Sequence, residues 1–189
     1  MSELMLDVGQ ANELKMALRR EGPWTNEKIK ILCEQKGLLT QFLGVIDGFY
    51  EIKPIEFVID CDANPMIPDG LSIEKHVKGG AFRFAKDRVL LHLAKKQKSG
   101  VISGHDLRKE LEKEPVLNAC VLDYLLAHPH LIPEEWKGQA VFFWGTIYRG
   151  AGGGLYVRYL CWDDGRWYWD CLWLENDWCS DSPAAVSRK

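Results

Sequence analysis

Leu155–Leu174 reads LYVRYLCWDDGRWYWDCLWL, two aromatic and aliphatic runs flanking Asp164-Gly165. Asp-Gly is a strong signal for a two-residue type I′ turn, in which both central residues take positive φ. With these two residues as the loop, the register follows directly. Trp162 pairs with Trp167, Leu160 with Trp169, Arg158 with Cys171 and Tyr156 with Trp173. Successive side chains on a strand point to opposite faces. Tyr156, Arg158, Trp162, Trp167, Trp169 and Trp173 therefore share one face. Leu155, Val157, Leu172 and Leu174 take the other, mixed with Tyr159, Tyr168 and Asp170. A slip of one residue would exchange the faces, so the turn decides the reading.

Upstream, AVFFWGTIYR (140–149) adds a third β-type run, joined to the hairpin through the flexible GAGGG. An antiparallel meander of three or four strands over 140–174 is expected. The rest of the chain is mainly helical in pattern. Residues 10–21 place Leu14, Ala17 and Leu18 on one stripe, the period of an amphipathic helix. Thr25 is placed to cap a second helix carrying Ile29, Leu32 and Cys33. Residues 38–46 form a third, so 1–48 reads as a helical arm or bundle and 49–189 as an α+β core. Within that core, IEFVID (55–60) and AFRF (81–84) are short strands. Val89, Leu90, Leu93 and Ala94 fit one side of a helix over 87–98, and residues 105–113 form another. VLNACVLDYLLA (116–127) is apolar around much of its circumference, the pattern of a central core helix. The fold class is α+β.

Bulk properties exclude several functions. The chain has 189 residues, 47% hydrophobic and 27% charged, with a net charge of -3. Acidic and basic residues mix along its length, so no field steers it toward nucleic acid or an anionic membrane. The first residues lack the basic start and apolar stretch of a signal peptide. No apolar run approaches the ~20 residues that cross a bilayer. A cytoplasmic location is expected, and with it free thiols at all six cysteines. No two cysteines form a C-x-x-C pair, so no metal is expected.

Two features bear on function. Seven of the eight tryptophans fall between Trp136 and Trp178. If the hairpin's tryptophan face packs on helix 116–127, it is core. If part of it stays open, Trp144, Tyr156, Arg158, Trp162, Trp167, Trp169 and Trp173 form a platform for a protein partner or small ligand, because Trp, Tyr and Arg dominate binding hot spots. Nucleic acid is disfavoured, since phosphate neutralisation needs a positive surface.

The second feature is FVIDCDAN (57–64), an apolar strand running into D-x-D. It resembles the first motif of haloacid-dehalogenase-like phosphotransferases. That resemblance implies Asp60 as nucleophile, Asp62 as general acid/base and a magnesium cofactor. Separately from it, His76, just before Gly79-Gly80, is a candidate base if the fold sets it in a cleft beside Asp60 or Asp62. Asn64-Pro65 departs from the motif, and the family's parallel βαβ sheet conflicts with a hairpin at Asp163-Asp164. The loop also departs from a calcium loop, with Pro65 at the sixth position and Leu71 at the twelfth. The simpler reading makes these carboxylates caps for backbone amides in a proline-shaped loop, and His76 a loop-fixing hydrogen-bonder.

The strings IDCDANPMIPDGLSIEKHVKGG (59–80), PVLNACVLDYLLAHPHLIPEEWKG (115–138) and FFWGTIYR (142–149), with the closing tryptophan-rich strands, resemble a set of uncharacterised bacterial proteins. The resemblance runs from WTNEKIKILCE (24–34) onward. It implies a bacterial, cytoplasmic protein and brings no site residues. The leading expectation is a non-enzymatic binding or protein-interaction module using the aromatic face. The alternatives are a magnesium-dependent hydrolase or phosphotransferase at Asp60 and Asp62, and a nucleic-acid accessory protein.

Overall fold

A computed structural model describes residues 5–53 and 55–188. The chain divides between Ile55 and Glu56 into two compact units. The first holds three helices: α1 (Val8–Arg20), α2 (Asn26–Glu34) and α3 (Leu38–Ile46). Asp7 caps α1 through a reciprocal pair of bonds with Gln10. Thr25 caps α2, its Oγ1 accepting from Lys28 N–H at 3.2 Å. The unit has almost no interior. Gly44 is the one buried residue in its helices, and a methyl group there would overlap the Tyr50 ring.

The second unit is built on a seven-stranded, mostly antiparallel sheet. In chain order its elements are β1 (Phe57–Asp60), β2 (Leu71–His76), β3 (Ala81–Phe84), β4 (Val89–His92), the short helix α4 (Lys95–Ser99), β5 (Ile102–Ser103), α5 (Gly104–Leu111) and α6 (Ala119–Ala127). There follow β6 (Val141–Phe142), β7 (Thr146–Gly150), β8 (Leu155–Asp163), β9 (Arg166–Trp173), β10 (Asp177–Trp178) and β11 (Ala184–Ser187). The large sheet runs β2-β7-β8-β6-β11-β4, with β9 on the other edge of β8. β1 pairs with β3 and β5 with β10, each antiparallel.

The hairpin has the register that its turn dictates. Asp164 and Gly165 stand at φ 47° and 76°, and the four pairs from Trp162–Trp167 to Tyr156–Trp173 are all present. Its two faces lie in two cores. Leu160, Trp167 and Trp169 pack toward α6 with Val121, Leu122 and Leu125. Val157 and Leu174 pack toward α5 with Leu107, Leu111, Phe142 and Trp178.

The sheet extends well beyond a local meander, and the segment 87–98 is the main correction. Only 95–99 of it is α-helical. Lys86–Arg88 is a 3-10 turn, and Val89–His92 is a strand paired residue for residue with Ala184–Ser187. Leu71–His76, to which no element is assigned from sequence alone, is a strand that pairs with β7 through a bulge between Ile73 and Lys75. The core helix starts at Ala119, three residues later than its apolar pattern suggests. Asn118 caps it, with Oδ1 accepting from Cys120 N–H at 3.1 Å.

Candidate functional site

The tryptophan face is graded from sealed to open. Arg158 and Leu160, on the central strand β8, are fully buried. Tyr156, Trp162, Trp167 and Trp169 are half-buried, and Trp173 on β9 is 44% exposed. Trp144 is not part of this face. It lies between β6 and β7, is 4% exposed and packs against Trp178 at 4.7 Å between ring centroids, in the α5 core. Strand alternation does not carry across the break at Phe143–Gly145, so its face does not follow from the hairpin register.

The half-buried rings are held in place. Trp162 and Trp167 meet edge to face at 5.3 Å near the turn. The Lys137 ammonium sits 3.9 Å above the Trp162 ring, and the Arg158 guanidinium lies 4.4 Å from the centre of Trp169. A cation over an indole gains from the ring quadrupole, more so where water is excluded. Rings fixed in this way lose little side-chain entropy on binding, which favours affinity.

Arg158 also ties this face to the acidic loop. Its Nη1 donates to Asp123 Oδ1 at 2.8 Å and to Met66 O at 3.3 Å. Asp123 Oδ2 accepts from Met66 N–H at 2.8 Å, and Tyr148 O–H donates to Met66 O at 3.0 Å. Burial pushes the Tyr148 hydroxyl up to about 12 despite the nearby guanidinium. Both polar groups of Met66 are thus clamped between α6 and the sheet. Asp123 and Tyr148 were not singled out from sequence. Their role depends on contacts across 35 and 82 residues, which no local pattern records.

Asp60, Asp62 and His76 are neighbours, and each makes a hydrogen bond that holds the loop. Asp60 Oδ1 accepts from Asp62 N–H and Asp62 Oδ1 from Gly80 N–H, each at 2.9 Å. His76 Nε2 is 3.1 Å from Cys61 O and its Nδ1 is 2.9 Å from Thr146 Oγ1. A carbonyl only accepts, so Nε2 carries the proton. Nδ1 then accepts from the Thr146 hydroxyl, whose oxygen in turn accepts from Ala119 N–H at 3.0 Å. Asn118 Nδ2 adds bonds to Cys61 O and Val77 O. Both ring nitrogens of His76 are thus engaged within the protein.

A shallow depression of about 220 Å³ opens beside the loop, lined by Ile59, Asp60, Asn64, Cys120, Asp123 and Tyr124. Under the hydrolase reading, magnesium would fall to the free oxygens of Asp60 and Asp62. Among the described residues no three His, Cys, Asp or Glu side chains gather as a metal site. The thiols of Cys61 and Cys120 are pushed up to about 11, mainly by burial and then by nearby negative groups, which suits packing rather than nucleophilic attack.

No protein-family model, curated protein or solved structure matches this chain. Function therefore rests on geometry. Among the described residues, no helix is long and apolar enough to cross a membrane.

Proposed function

We propose that the protein is a binding protein, without chemistry of its own, that grips a partner protein through the open end of the tryptophan face. One observation carries this reading. The face is sealed at Arg158 and Leu160 on β8 and opens at Trp173 on β9, with Tyr156, Trp162, Trp167 and Trp169 half-buried beside it and Trp162 and Trp169 each pinned by a cation. Large aromatic side chains on a preformed surface, next to a sealed core, are the composition of a binding hot spot. The surface bears few charges, which suits a protein partner better than a phosphate backbone.

The test is capture of partners by the tagged full-length protein from a lysate of its own cells, with and without nuclease. The wild type is expected to retain a specific protein in both conditions, and Trp167→Ala/Trp173→Ala to lose it while keeping its far-ultraviolet circular dichroism. Retention by both proteins alike would remove the tryptophan face from the account. Retention that nuclease abolishes would favour nucleic acid instead.

A further inference from the structure

β9 is an edge strand, and its open groups are specific. Leu174 N–H donates to Leu155 O at 2.8 Å. Hydrogen-bonded and non-bonded pairs alternate along an antiparallel ladder. Arg166, Tyr168, Asp170 and Leu172 therefore turn their backbone groups toward β8, and Trp167, Trp169, Cys171 and Trp173 turn theirs outward. Two of these outward groups are already used. Asp170 Oδ1 accepts from Cys171 N–H at 2.6 Å, and Trp173 O accepts from Asn176 N–H at 3.1 Å. Among the described residues, Trp167 and Trp169 have no partner for either N–H or C=O. Among the described residues no strand pairs with this edge. Natural sheets guard their edges with lysine, proline or bulges. β9 has none of these across eight bulge-free pairs, and the Asp170 cap protects only its far end.

We propose that a second copy of this chain pairs with β9, antiparallel and related by a twofold axis at Tyr168. In that register Trp167 of each copy faces Trp169 of the other, and the four open groups of each strand are satisfied reciprocally. Arg166 and Asp170 are exposed and lie on the same face, two residues either side of Tyr168. The twofold axis therefore sets Arg166 of each copy opposite Asp170 of the other, where directly opposed unlike charges are favourable. A shift that set Asp170 opposite its own copy would oppose like charges. An isologous interface of this kind is the commonest route to a closed dimer. Pairing of this handedness leaves both tryptophan faces on one side of the joined sheet. The proposal uses the edge of β9, and the binding reading above uses its face, so each stands or falls alone.

Charge exchange tests it. By sedimentation velocity of the full chain, the wild type is expected at twice the 21.6 kDa chain mass at high micromolar concentration and to dissociate on dilution. Arg166→Glu and Asp170→Lys are each expected as monomers, and the double variant R166E/D170K is expected to restore the dimer. A wild type that stays at 21.6 kDa throughout, or a dimer indifferent to Arg166→Glu, would overturn the proposal. A readout that needs no variant is amide hydrogen exchange at Trp167 and Trp169. Exchange should slow roughly tenfold or more from dilute to concentrated wild-type protein, and unchanged rates would contradict β9 pairing.

Discussion

Arg158 and Asp123 meet at 2.8 Å beneath the tryptophan face, the arginine side chain fully buried and the carboxylate 29% exposed. The asymmetry matters more than the distance. Arg158 Nε and Nη2 have no partner among the described residues, so Asp123 supplies most of what compensates a buried charge. Removing one member of such a pair leaves the other uncompensated. Asp123→Ala is expected to cost about 3 kcal/mol, measured by urea denaturation. Arg158→Met is expected to cost less, because it leaves a partly hydrated carboxylate and fills the site with an apolar chain. Equal losses would mean that the guanidinium is compensated by the Trp169 ring and Met66 O.

The turn that sets the sheet register should respond to backbone conformation alone. Gly165 stands at φ 76°, where an L side chain is strained. Gly165→Ala is expected to lower stability by about 1 kcal/mol, and Asp164→Asn to leave it unchanged, because Asn-Gly suits the same turn. The two midpoints in a thermal or urea transition decide this.

The hydrogen-bond chain from His76 to Ala119 N–H runs through the Thr146 hydroxyl. Thr146→Val keeps the shape but strips Ala119 N–H and His76 Nδ1 of their partner in a buried site. The expected loss is about 1–3 kcal/mol, the cost of leaving buried polar groups unsatisfied. A neutral result would indicate that water replaces the hydroxyl. Asp60→Asn should leave the fold intact, since an amide oxygen can still accept from Asp62 N–H. If Asp60→Asn instead abolished a magnesium-dependent hydrolysis, the loop would be catalytic.

Thiol chemistry separates the cysteines. Cys61 and Cys120 are buried with thiols held near 11, so at pH 8 both are protonated. The sign is simple: a raised pKa leaves less thiolate at a given pH, and thiolate is the reactive form. Cys33 is exposed. Mild treatment with iodoacetamide is expected to label Cys33 first, and Cys61 and Cys120 only with unfolding. Mass spectrometry of the digested protein gives the order.

How much of this was legible in the sequence depends on the range of each contact. The β8–β9 hairpin could be read pair by pair, because a two-residue Asp-Gly loop fixes the register locally. The caps at Thr25 and the apolar face of α6 were legible for the same reason. Val89–His92 looked helical because four apolar residues in a row fit a helix stripe as well as a strand. Its true partner, Ala184–Ser187, lies about 95 residues away and is built of small residues with no strand signature. The neighbourhood of Asp60, Asp62 and His76 could be guessed from D-x-D and Gly-Gly. That the three are locked by Thr146 and Asn118 could not, since those residues arrive from β7 and the start of α6.

Whether the open end of the tryptophan face meets another protein can be read in living cells by site-specific photo-crosslinking, with a benzophenone side chain in place of Trp173, of Trp167, or of Lys109, an exposed residue on α5. An adduct to a different polypeptide is expected from the Trp173 and Trp167 positions and not from Lys109. No adduct from either tryptophan position, or equal adducts from all three, would contradict the account.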